Sequence, residues 1–305
     1  MHYNSLNNYL KNKFGCKVYK LSINAGLTCP NRDGTISYGG CIFCSEGGSG
    51  DFSTSSLLSI TEQIESAKSR VSSKIKNGKY IAYFQAFTNT YGPIDYLWKI
   101  FTEAIEHPDI VAISIATRPD CLPDEVLDLL SELNAIKPVW VELGLQTIHE
   151  KTANYINRGY SLECFENAID NLRRIHIETI VHVIIGLPFE SEEEIYETIK
   201  YVSSQNIQGI KLQLLHVLQN TALANDYNNN LFETLSMEQY IKIIAHSLEL
   251  IPENIVIHRL TGDGPKSLLI APAWSCNKKN VLNSMNKYFR DNNIIQGRLT
   301  AERFC

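Results

Sequence analysis

Three cysteines in one short stretch are the residues of this chain best suited to chemistry. Cys29, Cys41 and Cys44 are spaced C-x11-C-x2-C, with no fourth cysteine nearby. Three thiolates hold three irons of a [4Fe–4S] cubane and leave the fourth iron open to another ligand. Clusters are otherwise usually held by four cysteines, so an open iron suggests chemistry rather than simple electron transfer. Glycines at 34, 39, 40, 47, 48 and 50 let the backbone wrap tightly and aim N–H groups at anionic sulfurs, and Arg32 adds positive charge. A zinc knuckle or a set of unrelated buried thiols is the competing reading. Structural zinc favours four ligands, usually as two pairs, and neither His2 nor His149 is spaced to complete one. The spacing therefore favours a cluster over zinc.

Positioning such a loop requires a scaffold, and the hydrophobic pattern supplies one. Val18 to Ile23 alternates apolar and polar and delivers the chain directly into the cysteine stretch. Further strands are expected at Tyr80–Phe87, Val111–Ala116, Val139–Leu145, Ile177–Ile185 and Gly209–Leu215. Helical periodicity follows each one. Capping boxes at Ser59-x-x-Glu62 (a helix to about Lys76), Ser191-x-x-Glu194 and Ser236-x-x-Gln239 mark helix starts. Six βα units mean a parallel sheet. A partly closed (β/α)6 barrel and a doubly wound open sheet both satisfy that count. In either, polar residues at the strand C-terminal ends face the site. Those ends carry the cysteine loop, Gln85 to Asn89, Thr117-Arg118, Gln146 and Gly186-Leu187-Pro188.

Composition bounds the partners. The 305 residues are 44% hydrophobic, enough for one large core, and the net charge of −5 lacks the basic footprint usual in nucleic-acid proteins, though a local patch is compatible with it. No stretch approaches the length of a membrane span and the polar N-terminus has no signal pattern, so a cytoplasmic protein is expected. Eight cysteines in a chain of this size imply a reducing compartment and metal ligation rather than a disulfide scaffold.

Taken together, Cys29-Pro-Asn-Arg-Asp-Gly, Gly-Gly-Cys41-x-x-Cys44, Tyr83-Phe84-Gln85-Ala86, Thr117-Arg118-Pro119-Asp120-Cys121, Glu142-Leu143-Gly144-Leu145-Gln146-Thr147 and Gly186-Leu187-Pro188 resemble the radical S-adenosylmethionine (SAM) superfamily. The match is to a single-domain branch akin to the catalytic subunit of Elongator without its acetyltransferase half. The resemblance implies a partial (β/α)6 TIM-like barrel over residues 1–216, with the cluster loop at 29–44 and a C-terminal extension at 217–305 packed on the barrel. It implies a [4Fe–4S] cluster on Cys29, Cys41 and Cys44, and SAM bound at the open iron. Gln85 to Thr88 match the strand-two position that meets the SAM amino group, although relatives usually carry glycines there. Gln146 and Arg158 match a SAM-contacting pair. His182 stands where relatives place an acidic ribose contact, and Gly186 lets the backbone approach the adenine.

Other residues carry expectations of their own. Arg118, extended before Pro119, is a carboxylate or phosphate clamp or the salt-bridge partner of Asp120. Glu142 points from a buried strand, where an unpaired carboxylate is costly, so it should pair with SAM, Arg118 or Lys211. Lys211 and His216 flank the sixth strand on the substrate side, with a snorkelling lysine and a surface histidine as the ordinary alternatives. His258-Arg259, near Asp263 and Lys266, form with Lys278 and Lys279 either a phosphate-contacting patch or a solvated face. Cys121 and Cys276 are read as small buried residues or hydrogen donors, and Cys16, Cys164 and Cys305 as bystanders. Family analogy further implies a tRNA substrate, modified at the C5 substituent of the wobble uridine from carboxymethylaminomethyl to aminomethyl. An external one-electron donor of flavodoxin or ferredoxin type goes with it. A small metabolite or peptide as substrate, or a non-catalytic cluster-bearing binding module, are the rivals.

Overall fold

Alternating strands and capped amphipathic helices fold as their patterns require. The computed structural model describes residues 2–48, 50, 53–74, 78–262 and 264–300. In chain order the strands are β1 (Val18–Ile23), β2 (Lys79–Phe84), β3 (Ile110–Thr117), β4 (Val139–Gln146), β5 (Glu178–Ile185), β6 (Gly209–Leu214), β7 (Val217–Leu218), β8 (Val256–Arg259) and β9 (Leu269–Ala271). The helices are α1 (Leu6–Phe14), α2 (Ile60–Val71), α3 (Ile94–Glu106), α4 (Asp124–Ile136), α5 (Glu150–Tyr155), α6 (Leu162–Arg174), α7 (Glu192–Ser204), α8 (Ala222–Asn228), α9 (Met237–Leu250) and α10 (Lys278–Asp291). All three expected capping boxes form, at Ser59, Ser191 and Ser236. No helix among the described residues is long and apolar enough to cross a membrane.

Sheet order separates the two candidate architectures. The main sheet runs β1-β2-β3-β4-β5-β6-β8 with every pair parallel. A doubly wound sheet reverses its strand order at a switch point. Here the order never reverses, so the sheet curls in one direction into a half-barrel. The expected six strands gain a seventh because β8 pairs with β6. β2 ends at Phe84, earlier than expected, and residues 85–93 become a loop over the site. The short helix α5 went unpredicted. Lys76, Asp263 and Cys305 lie outside the described residues.

The barrel interior is layered by the period-two alternation of side chains. Its lowest layer is apolar: Val18, Ile81, Ala112, Trp140 and Ile180 pack with Leu10 of α1. α1 closes that end, held by Ser5 as N-cap and by Gly15 in the left-handed conformation at φ 68° as C-cap. The backbone of Asn4 accepts from Ile257 N–H at 2.8 Å, tying the N-terminal segment to β8. Outside, the α2, α3, α4, α6, α7 and α9 faces pack on the sheet as one continuous core. Leu10 is 3% exposed, so Leu10→Ala leaves a cavity in the floor and should cost about 2–5 kcal/mol of stability. Urea unfolding of the two proteins measures this, and a loss under 1 kcal/mol would mean that α1 does not seal the barrel.

Candidate active site at the mouth of the half-barrel

Cys29, Cys41 and Cys44 line one cavity at the strand C-terminal ends, together with Arg32, Gln85, Thr88, Thr117, Arg118 and Gln146. Backbone turns shape the loop that carries them, and side-chain amides tie it to the rest of the site. Fully buried Asn31 donates from Nδ2 to Asn157 O at 2.5 Å and lies 3.7 Å from Cys41 Sγ, while its Oδ1 accepts from Ser37 Oγ at 3.0 Å. Asn157, at a positive φ of 53°, donates to Gly40 O at 2.9 Å and Ser37 Oγ at 3.0 Å. Gly40 itself has φ 86°, and a Cβ there would sit 2.9 Å from Arg32 Nε. Arg32 donates to the carbonyls of Cys44 and Ser45.

Charge separates two of the thiols. The hydrogen bond from Cys41, with Arg32 and Arg118 nearby, brings Cys44 down to about 7 against the pull of burial. That same bond, with burial, pushes Cys41 well up. Zinc bonds of about 2.3 Å set tetrahedral sulfurs about 3.8 Å apart. Among the described residues the three cysteines are not a set whose donor atoms all lie within 4.8 Å of one another; only Glu65, His107 and Asp109 are. Three thiols on one cavity with an amide N–H near sulfur suit a cluster whose fourth iron stays open.

Deeper in the same barrel lies a polar layer. The carboxylate of Glu142 is fully buried. One oxygen accepts from Lys20 Nζ and from Ser114 Oγ at 2.7 Å; the other accepts from Lys211 Nζ and pairs with His182 Nε2 at 2.8 Å. Lys211 also donates to Tyr83 OH at 3.0 Å. Burial raises the Glu142 carboxyl, but Lys20, Lys211 and His182 together more than offset it and hold it well below the usual carboxylate range. Burial lowers the Lys211 ammonium to about 7 despite Glu142, with repulsion from Lys20 and Arg259 adding to the effect. Burial and then Lys211 bring His182 down to about 4. It is neutral near pH 7, and its Nδ1 lies 3.3 Å from Gln213 Nε2.

Residues 27–202 match the Radical SAM superfamily, and residues 207–291 match the Radical SAM C-terminal domain. The first match spans more than half of the chain. This chain belongs to the radical SAM superfamily. Similarity to YtqA of Bacillus subtilis runs to 46% identity over 296 residues, 97% of this chain and 92% of YtqA. A tRNA uridine(34) acetyltransferase of Methanocaldococcus jannaschii is 24% identical over 195 residues, 63% of this chain and 35% of that protein. The solved structure of Methanocaldococcus infernus Elp3 with an N-terminal deletion superposes with TM-score 0.70 at 16% identity, over 92% of this chain and 64% of Elp3, a likeness of fold. Radical SAM proteins bind a [4Fe–4S] cluster and SAM.

The expected SAM-side residues of this radical SAM chain fall into three groups. Gln85, Thr88, Thr117, Arg118, Gln146, Arg158 and His182 all line the cavity. Gln146 has φ 72°, and its Oε1 is buried without a hydrogen-bond partner; its amide lies over Gly144, where a Cβ would come within 2.8 Å of Nε2. Arg158 is spent on the backbone: it donates to the carbonyls of Thr147 at 2.6 Å and Tyr160 at 2.9 Å. Arg118 forms the alternative salt bridge, bonding Asp120 through Nε at 2.9 Å and Nη2 at 2.7 Å, and donates to Arg158 O at 2.9 Å. Gly186 turns away from this cavity toward Leu235 and lines a neighbouring recess.

Of the substrate-side residues, Glu142 and His216 line the cavity. Lys211 stands behind its wall, paired with Glu142 as expected, while Arg118 is not a partner of that carboxylate. His258-Arg259, read as either a phosphate-contacting patch with Lys278 and Lys279 or a solvated face, lies inside the fold. The His258 ring packs edge-on against Trp140 at 5.8 Å, and Arg259 lines the cavity instead. Lys20, Tyr83, Ser114 and Gln213 were missed. For three the signal was present, since Tyr83 shares a strand face with Gln85, Ser114 with Arg118 and Gln213 with Lys211; Lys20 had no suspected neighbour on β1.

The depressed His182 gives a pH prediction. Its proton is bound more weakly folded than unfolded, so the neutral ring contributes stability that is complete above about pH 6.5 and is lost as pH falls toward 4. Wild-type should lose up to about 3 kcal/mol more than His182→Gln between these limits. Denaturant midpoints at pH 7 and 4.5 measure it; equal losses would mean that His182 titrates normally.

Proposed function

We propose that this chain is a radical SAM enzyme that modifies a tRNA wobble uridine, trimming a C5 carboxymethylaminomethyl substituent to aminomethyl. The observation that carries this reading is a single cavity that runs from three cysteines at the barrel mouth to a buried ionic layer inside. The tRNA substrate is supported by the similarity to a tRNA uridine(34) acetyltransferase and by the polar inner wall. In this reading Cys29, Cys41 and Cys44 ligate the cluster. When bound, the cluster and SAM supply reductive cleavage of the sulfonium C–S bond and a radical that abstracts hydrogen from the substrate.

The chain's own residues bind, orient and exclude water. Gln146 Oε1 accepts from a SAM N–H or O–H donor, and Arg158 fixes the end of β4 that presents it. Gln85 and Thr88 border the SAM amino group, Thr117 and Arg118 the opposite wall, and His182 a ribose hydroxyl, while Gly186 backs the adenine side from the adjoining recess. Glu142 with Lys211, and His216 from the β6 end, flank the substrate. Residues 1–216 act as the barrel domain and 217–305 as an extension that adds β8 to the barrel sheet. A flavodoxin- or ferredoxin-type protein delivers the electron. Seven free cysteines among the described residues suit a cytoplasmic setting.

Anaerobic reconstitution with iron and sulfide, followed by SAM and dithionite, should give 5′-deoxyadenosine from wild-type and none from Cys41→Ala. Adding tRNA that carries the carboxymethylaminomethyl group should give the aminomethyl nucleoside by mass spectrometry. 5′-Deoxyadenosine without a tRNA product redirects the substrate to a small metabolite or peptide, and an intact cluster without 5′-deoxyadenosine defeats the catalytic reading. Gly144→Ala displaces the Gln146 amide and should weaken SAM binding about tenfold or more while leaving cluster absorbance intact. Unchanged SAM affinity would remove Gln146 from the site.

A further inference from the structure

The inner end of the cavity holds more positive than negative charge. Among the described residues Glu142 is the carboxylate of this layer, and Lys20 and Lys211 both pair with it. Two ammonium groups on one carboxylate leave an excess cation in a site that water barely reaches: the side chains are 16%, 4% and 0% exposed for Lys20, Lys211 and Glu142. Burying an uncompensated charge is costly. Such a layer is relieved either by losing a lysine proton or by receiving an anion. The depressed Lys211 is the first response, expressed when no anion is there.

The wall in front of this layer is built to receive an anion. Arg259 is the Cα partner of Lys211 across β6 and β8, and its guanidinium faces the cavity. A guanidinium presents five N–H donors in a planar fork, the geometry that suits a carboxylate. Gln213, two residues beyond Lys211 on β6, lines the same wall, and one amide hydrogen engages His182 Nδ1. His182 itself spends its Nε2 on Glu142.

We propose that this inner wall is a carboxylate subsite, with Arg259 and Gln213 meeting the anion and Lys20 and Lys211 supplying the charge behind it. The assignment rests on the reading of the site given above and deepens it: the recognised part of the substrate is its terminal carboxylate. A planar carboxylate suits the guanidinium fork, and its negative charge offsets part of the excess positive charge of the layer. The carboxylate of SAM is the other source of this chemistry, so SAM is kept saturating in the test.

The test uses reconstituted, SAM-bound protein and two free nucleosides, 5-carboxymethyluridine and its neutral isostere 5-carbamoylmethyluridine, titrated calorimetrically. The acid should bind about tenfold or more tightly than the amide. Arg259→Gln should abolish that preference and Arg259→Lys retain part of it. Gln213→Glu, which adds a like charge at the wall with little change in volume, should reverse it. Equal affinities, no binding of either nucleoside, or a preference that survives both Arg259→Gln and Gln213→Glu overturns the subsite. Loss of the acid preference with tRNA product still forming sinks the subsite alone. Retained preference without tRNA product sinks the tRNA reading alone.

Discussion

The Glu142 carboxylate sits where β1, β3, β4, β5 and β6 face one another, and each of its oxygens is shared between two donors from different strands. Removing one partner from such a buried set typically costs about 3–5 kcal/mol, because the remaining charge is left in a poor solvent. An apolar layer would fill the same space without that risk. A buried ion pair is weak evidence for stability by itself. Lys20 and Lys211 also lie over the Tyr83 ring, 4.8 and 4.5 Å from its centroid, which keeps both ammonium groups aimed inward.

Above that layer, the cysteine loop is tied to other segments of the chain as well as to itself. Asn31 and Asn157 bridge the loop to the segment after α5, and Ile42 N–H bonds to Ile156 O at 3.1 Å. The Ile42 carbonyl in turn accepts from Leu223 N–H of α8 at 2.9 Å. The thiols are thus held from two sides by elements far away in the chain. A loop whose backbone bonds are satisfied in this way keeps its sulfurs in place through the second shell of contacts around them. Phe87, at φ 61°, packs against Gly48, where a Cβ would come within 2.3 Å of its ring. The loop after β2 therefore seats on the end of the cysteine loop.

One side chain at this mouth is both strained and orphaned. Gln146 combines a positive φ with an unpartnered buried oxygen at the point where the β4–β5 register shifts. Side chains held this way persist because their surroundings over-determine them, and they cluster where ligands bind. Arg158 shows the complementary economy: its guanidinium, 1% exposed, is spent on carbonyls and fixes the backbone that carries Gln146.

Much of this was legible in the sequence. The C-x11-C-x2-C spacing announces an open-site cluster because three ligands leave one metal position free, and period-two strands between capped helices announce a parallel sheet. Serine capping boxes located three helix starts because their chemistry is local. Pairing is not local. That β8 joins β6, that the strand order never reverses, and that residues 1–14 plug the floor all depend on contacts between segments far apart in the chain. The same limit explains the site. Glu142 was recognisable as needing a partner, but Lys20 and Ser114 became its partners only when curling brought β1 and β3 opposite β4. Arg259, read as surface charge, turned inward with β8. Asn31 and Asn157, unremarkable polar residues in sequence, meet only because the cysteine loop folds over the loop after α5. Residue types and spacing determined what chemistry the chain can hold; the curl of the sheet decided which charges face it.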